Sequence, residues 1–409
     1  MPKATALAIN GGKPAKPTPY AAGPKHLPAE KAAVCAVLDR GDLPFSRGPE
    51  VMALREKWAA MYGVKHCLTA SSGTAAIHTA VGALGIGRGD EVITSPITDM
   101  GTLIAIMAQN AVPVFADVDP WSRNITPESI AAKITPRTKC LLVVHLAGNP
   151  VNMPAVMKLA RQHKLSVVED LAQSYLCTYR GKLCGTFGDL GCFSLNDSKH
   201  IGAGDGGMVI TNSAKLADRA ELFADKCYDR TGQGRQPFMV GYNYRLNIMA
   251  AAVALEQIKR VKKLTDTRHA RGDKLSALLA DAPGIIPHKV LPGAKCTYWY
   301  YLMGLDFSVL QCDAATFAQA LTAEGVGNWL DTGTVLDWPL FSERHTDPWA
   351  CSFSCPLYQG KVDYSLDSFP GVQTAITSQV RFQVNEWWTD KDVRDTAKAI
   401  TKVAEHYAR

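Results

Sequence analysis

The chain has 409 residues, 47% hydrophobic, 20% charged and 8% aromatic, a composition that excludes intrinsic disorder and fibrous architectures and leaves length for two or three domains at roughly 100–200 residues each. Lys and Arg outnumber Asp and Glu by 44 to 38, for a net charge of +6, but they are scattered without a run of five, so no nucleic-acid partner is expected. The eleven cysteines are odd in number, with only Cys351 and Cys355 closely spaced, and no apolar stretch reaches signal-peptide or membrane-span length; a cytoplasmic protein with no metal site and no membrane contact is expected.

Helix-like and strand-like segments alternate from residue 50 to residue 211. Residues 49–63 (PEVMALREKWAAMYG) read as an amphipathic helix closed by Gly63, and 66–70 (HCLTA) as a short strand. Residues 72–87 (SGTAAIHTAVGALGIG) follow as a helix of small residues ended by glycines. Residues 91–95, 112–118, 139–146 and 165–170 are apolar, β-branched runs separated by helical stretches such as 152–164. Near-continuous apolar strands between helices predict a mainly parallel sheet covered on both faces: an α/β architecture.

Further along, 208–212 read as a strand and 213–228 as a helix, and a long helical region starts near Asn247 and stops at 283–295, a stretch broken by Pro and Gly. An aromatic strand, CTYWYYLMGL (296–305), and more helix follow. The expected boundary falls in or just before the long helix. It divides the chain into a large domain over 1–255 and a smaller α+β domain over 256–409, with residues 1–40 free to pack on the smaller domain or on a partner. Residues 336–372, rich in Trp, Pro, Ser and Cys, read as an elaborated loop.

Parallel α/β sheets present ligands at the carboxyl ends of their strands, so the turns after the strands carry the chemistry. SSGT (71–74) opens a helix with small residues, leaving the N–H groups and hydroxyls around Ser72, Gly73 and Thr74 able to hold a phosphate. Plain helix capping by Ser72 or Thr74 explains the same residues. VVEDLAQS (167–174) sets Glu169 and Asp170 at a strand end with Gln173 three residues on, where an acid can pair with a protonated ring nitrogen or simply cap a helix. CFSLNDSKHIGAGDGGMVIT (192–211) carries Ser194, a lone Lys199 and glycines that precede a strand rather than open a helix, which argues against a dinucleotide loop. A lysine on a turn is ordinarily solvated; one held among phosphate-binding and acidic turns can form a Schiff base. Phosphate cradle, ring-nitrogen acid and amine together match what pyridoxal 5'-phosphate needs.

The ordered set SGTAAI, GDEVIT, VPVFADVD, EDLAQS, CFSLNDSK, GDGGMVIT and GYNYRLN resembles the DegT/DnrJ/EryC1/StrS family of sugar aminotransferases, which have the aspartate-aminotransferase fold (fold type I) and bind pyridoxal phosphate. The resemblance covers residues 30–260 closely and the remainder loosely. It implies that Lys199 binds the cofactor aldehyde and shuttles the proton, that Asp170 pairs with the pyridine nitrogen, and that Gln173 faces the ring hydroxyl. It implies further that Ser194, with Gly73 and Thr74, holds the phosphate. Asn243 of GYNYR would reach the phosphate of the neighbouring subunit, so that a homodimer shares its active sites. Family dehydratases carry His where the aminotransferases carry Lys; counting back from Gly204 of GDGG reaches Lys199, with His200 one position later, which favours transamination. The chain departs from the family at Asp99 of SPITDMGT, where an aromatic residue usually stacks on the cofactor ring, and at Asp205, where the family has Glu.

The reaction so implied is a ping-pong transfer from glutamate or glutamine to a keto sugar, often nucleotide-linked, or to a keto cyclitol. Arg47, His145, His200, Tyr242, Arg245, Trp329 and Trp338 are candidate acceptor contacts, each with a plain reading as core or surface. A sugar dehydratase or aminodehydratase of the same family is the alternative reaction. A non-catalytic, cofactor-binding sensor is a remote one, since only about 40 residues precede the first family-like motif and Pro and Gly run through them.

Overall fold

The computed structural model describes residues 6–44, 47–230, 237–331, 333–343, 352–353 and 355–408. Its centre is a seven-stranded sheet of β1 (His66–Ala70), β2 (Glu91–Thr94), β3 (Val112–Phe115), β4 (Thr138–Val144), β5 (Ser166–Asp170), β6 (Leu190–Ser194) and β7 (Gly207–Thr211), in the order β1-β7-β6-β5-β4-β2-β3. All neighbours run parallel except β7, which is antiparallel to both β1 and β6. Strands β2, β6 and β7 are buried at every residue, as a sheet covered on both faces requires. One face carries the helix Gly73–Ala83, whose small residues let it lie close to the sheet; the other packs Trp58, Tyr62, Tyr175 and Phe193 into an aromatic layer.

The register of this sheet assembles the site. Gly207 of β7 pairs with Ala70 at the end of β1 and with Ser194 at the end of β6, while Asp170 at the end of β5 pairs with Cys192 of β6 and Val144 of β4. Four strand ends therefore stand level, and the turns that follow them converge. A side chain on Gly207 would put its Cβ 2.2 Å from the Ser72 carbonyl oxygen, so this junction needs glycine.

A second, three-stranded sheet pairs Tyr301–Leu305 with Ile285–Ile286 and Gln379–Phe382. The helices Ala314–Ala323 and Asp390–Tyr407 cover it, and the N-terminal residues join this core: Leu7 lies in it, Tyr20 stacks on Trp388 at 4.3 Å, and Lys16 pairs with Asp392 at 2.9 Å. The expected boundary at 255/256 falls inside one helix. The helix Ile248–Leu278 runs unbroken through it, packing Ile248 and Ala252 on Val37 at one end and Leu275 in the C-terminal core at the other. Of the stretch 336–372, expected to be an elaborated loop, the described residues return to the first sheet, where Phe341, Tyr364 and Phe369 share a core with Phe115. Its Tyr364 hydroxyl donates to the Pro113 carbonyl at 2.7 Å and its Ser352 hydroxyl to the Ala111 carbonyl at 2.9 Å. The segment thus covers the β3 edge, whose carbonyls would otherwise lie open. The aromatic strand expected over 296–305 starts at Tyr301; before it, Thr297 N–H donates to the Gly148 carbonyl and Trp299 N–H to the Ala147 carbonyl, bending 297–300 across the end of β4.

Candidate active site

The converging strand ends enclose a cavity of about 360 Å³ lined by Ser72, Gly73, Thr74, Asp99, Asp170, Gln173, Ser194, Asp205 and Lys199, with Trp299 at its mouth. Every residue that sequence reasoning placed around the cofactor lines this one cavity except Asn243.

The helix Gly73–Ala83 points its N-terminus inward, and Ser72 caps it by accepting the Ala75 N–H at 3.0 Å. Capping and anion binding coexist here, because the cap uses one of several free N–H groups. The approach is close: a Cβ on Gly73 would meet Ser194 Oγ at 2.9 Å, and a Cβ on Gly101 would meet Thr74 Oγ1 at 2.5 Å. Glycine at both positions leaves the hydroxyls of Thr74 and Ser194 unobstructed beside the cavity.

Asp170 is buried at the floor. Its Oδ2 accepts from Thr102 Oγ1 and its Oδ1 from the Ala172 N–H, both at 2.9 Å. Burial is the dominant influence and raises its pKa, against those two hydrogen bonds and the nearby charge of Lys199. A buried carboxylate in this position is stabilised by a cationic partner such as a protonated ring nitrogen. Gln173 Oε1 accepts the Ala147 N–H at 2.9 Å, which leaves its –NH₂ for the cavity.

Lys199 enters from the turn after β6, its Nζ 4.0 Å from the centre of the Trp299 ring. Desolvation lowers its pKa, opposed by Asp170 and Asp99 and helped by Lys25. An amine so placed is more available as a nucleophile or base than a solvated lysine. The Trp299 indole N–H donates to the Ser198 carbonyl at 3.1 Å and fixes ring and turn together. Asp99 caps the helix Met100–Met107 by accepting the Gly101 N–H at 2.8 Å, and so stands as a carboxylate where a stacking ring was looked for.

Of the tentative acceptor contacts, Trp338 lines a cavity that adjoins this one, Trp329 is exposed, and Arg47, His145, His200, Tyr242 and Arg245 do not line the Lys199 cavity. His145 is fully buried: it accepts the Val151 N–H at Nδ1 and donates from Nε2 to Glu169 at 3.1 Å. Glu169 also accepts the N–H groups of Gly185, Phe187 and Gly188, which makes the pair a brace under β5 rather than a ligand contact. His200 is buried against Tyr175. Tyr242 stacks on Tyr244, Arg245 pairs with Asp225 at 2.6 Å, and Arg47 faces Glu221 at 3.9 Å in a separate cavity. Asn243 lines a third cavity with Leu43, Pro44 and Arg245. Cys351 lies outside the described residues.

Sequence reasoning missed an adjoining cavity of about 250 Å³ that shares Thr98, Asp99, Gln173 and Trp299 with the first. Its far wall holds Trp338 and a cluster in which the Asp331 carboxylate bonds the guanidiniums of Arg123 and Arg381, the latter at 3.0 Å. With Asp99 on the near wall, the lining carries two guanidiniums and two carboxylates, and Asp331 is shared between both guanidiniums. Trp338 was among the candidate acceptor contacts, whereas nothing local marks Arg123, Asp331 or Arg381, and Arg123 lies 208 positions from Asp331.

Known proteins match this arrangement. L-glutamine:2-deoxy-scyllo-inosose aminotransferase of Streptoalloteichus tenebrarius is 36% identical, covering 98% of each chain. The enzyme of the same name from Streptomyces kanamyceticus is 32% identical over 98% of this chain and 97% of its own. An aminotransferase structure from Psychrobacter cryohalolentis superposes with a TM-score of 0.82 at 26% identity, over 95% of this chain and all of that one. The profile of the DegT/DnrJ/EryC1/StrS aminotransferase family matches residues 26–345, and the chain belongs to that family of aminotransferases.

Proposed function

We propose that the protein is a pyridoxal-phosphate-dependent aminotransferase that moves the α-amino group of glutamine or glutamate to the ring ketone of a cyclitol or sugar. The observation that carries this reading is the shared cavity in which Lys199, Asp170 and the Ser72–Thr74 turn converge, with an amine, a buried acid and a phosphate cradle at separate walls. The residues fit the group. Gly73 and Gly101 leave room that any side chain would fill, and Asp170 supplies the negative charge that a protonated pyridine calls for. When bound, pyridoxal phosphate supplies an aldehyde for amine exchange and an electron sink.

The chain's own residues do the rest. Ser72, Gly73, Thr74 and Ser194 would hold the phosphate oxygens, and Asp170 would keep the ring nitrogen protonated. Gln173 orients the ring from its amide. Lys199 Nζ would serve as the general acid and base that moves the substrate's proton. Trp299 and Asp99 stand between this cavity and the adjoining one, and Arg381 offers the donor's carboxylate a guanidinium only partly neutralised by Asp331. The relatives named for 2-deoxy-scyllo-inosose favour a nucleotide-free cyclitol ketone as acceptor. Asn243, remote from Lys199 within one chain, fits the family arrangement of a homodimer in which it serves the partner's cavity.

The test is direct. Protein incubated with pyridoxal phosphate should absorb in the near-visible and be labelled at Lys199 on borohydride reduction, and [2-¹⁵N]glutamine should deliver its label to 2-deoxy-scyllo-inosose. A Lys199→Ala protein that still forms the reducible linkage would overturn the assignment.

A further inference from the structure

Behind the Lys199 turn lies another cavity, of about 430 Å³, that the reaction above does not use. Four separate stretches wall it: 23–27, 198–200, the long helix from Gln257 to Arg268, and 386–387. Five cationic side chains line it, Lys25, Lys199, Arg260, Lys263 and Arg268, against the single carboxylate of Glu386. Glu386 is taken by Arg268, whose Nε and Nη2 reach it at 2.8 and 2.7 Å, and Arg260 turns to Glu30 and to the Lys25 carbonyl. Among the described residues, Lys25 pairs with the exposed Asp197 at 3.7 Å and Lys263 has no carboxylate within ion-pair distance. Lys25 is also half-buried: desolvation pulls its pKa down, and Arg268 pushes the same way. A solvated face of scattered lysines would spread its charge into water. Here three of those segments turn their cations toward one half-open space, where the potential is focused.

We propose that this cavity is an anion site that takes a phosphate group, either free phosphate or the phosphate of a small monoester, between Lys25 and Lys263 with Arg260 and Arg268 beside it. The volume suits it, since a phosphate alone or with a sugar-sized body fits within the space. The ligand would bridge the N-terminal segment, the long helix and the turn that carries Lys199, so its occupancy would tie together pieces that belong to both cores. Trp387 supplies an apolar wall for the body of a monoester: Gly23 lies on its ring, where a Cβ would come within 2.6 Å. The inference does not rest on the transamination reading, because its measured quantity is phosphate binding.

The experiment is isothermal titration of protein preloaded with pyridoxal phosphate, which occupies the other phosphate cradle, using inorganic phosphate and glucose 6-phosphate at fixed chloride. Saturable binding that the Lys25→Met/Lys263→Met protein weakens by about 10-fold to 100-fold is expected, from the loss of two charge-assisted contacts. Tighter binding of glucose 6-phosphate than of phosphate assigns the site to a monoester, and equal binding assigns it to free phosphate. Equal affinity in the wild-type and double-variant proteins overturns the proposal, as does the absence of binding to either probe. Lys263→Glu alone, on the helix surface, repeats the test with a milder backbone risk, and an unchanged thermal midpoint certifies each fold.

Discussion

The cavity at Lys199 and the one that adjoins it share a wall but are built in opposite ways. The first takes its groups from turns that immediately follow strands, so that sheet register alone brings Ser72, Asp170 and Ser194 level. The second gathers Arg123, Asp331, Trp338 and Arg381 from distant segments, held by the ion pairs of Asp331 and by the packing of 335–372 on the first sheet. A site made by register is rigid and suits chemistry that tolerates little displacement. A site made by long-range packing can change its members without disturbing the sheet, which suits the recognition of different substrates on one reaction centre.

Removing the amine breaks the first cavity most completely. Lys199→Ala should lose at least about 10³-fold in kcat for both half-reactions, since no neighbouring base stands where Nζ does. Rapid-mixing absorbance of each half-reaction measures this, and a change confined to one half would refute the single-site arrangement. Asp170→Asn should lower kcat by roughly 100-fold to 1,000-fold, because the charge opposite the ring nitrogen is gone while the hydrogen bonds to Thr102 and Ala172 survive in part.

The same substitution carries a stability sign. Burial raises the Asp170 pKa above its unfolded value, so ionised Asp170 costs the cofactor-free protein stability above the raised value, and that cost disappears as pH falls through it toward the ordinary value of about 3.9. Cofactor-free Asp170→Asn should therefore match or exceed the wild-type melting temperature at pH 7, with the difference fading toward pH 4. A difference that grew on acidification would mean that a partner, rather than burial, controls Asp170.

How far the sequence reaches follows from the same contrast. The strand ends were legible because a buried parallel strand is a continuous apolar run, and the polar residues just beyond it stand out; HCLTA, for example, is a strand over its full length, residues 66–70. Lys199, Asp170 and Ser194 could be singled out on that ground, and the ordered motifs added their roles. Helical periodicity continues through Ile248–Leu278 and carries no mark of which core each turn meets. The 335–372 stretch misled because its aromatics read as loop decoration, whereas Phe341 and Tyr364 close on Phe115 only once the sheet exists. His145 misled in the opposite direction: a polar residue at a strand end looked functional, yet its partner Glu169 and the three N–H groups it gathers are a structural brace. Arg381 and Arg123 carry no local signal at all; only their convergence on Asp331 reveals them.

Breaking the second cavity should leave chemistry largely intact. Arg381→Met is expected to raise KM for glutamine by about tenfold to 100-fold, the range for loss of one charge-assisted contact, with a smaller effect on the acceptor, which carries no carboxylate. Paired steady-state titrations of donor and acceptor separate the two. Equal losses for both would place Arg381 in orienting the shared wall instead of reading the donor. Arg123 should behave differently: it is buried, and Arg123→Met would strip Asp331 of its inner partner and break its bonds to Gln379 and the Ala375 carbonyl, costing about 3 kcal/mol of stability in chemical denaturation.

The smallest effect belongs to the residue the two cavities share. Trp299 holds its ring face 4.0 Å from Lys199 Nζ and its N–H on the Ser198 carbonyl, while its other side lines the adjoining space. Trp299→Phe keeps a weaker ring face and loses the N–H bond, and Trp299→Leu loses both. A cation–π contact of about 0.5–1 kcal/mol corresponds to a rate effect of roughly twofold to fivefold. Leu should therefore slow both half-reactions by about that factor beyond Phe, and should do so equally, because Lys199 serves both. If donor and acceptor half-reactions instead diverge in Trp299→Leu, the residue acts through the recognition cavity, and the division between a register-built reaction centre and a packing-built recognition wall would have to be redrawn to put the indole on the recognition side.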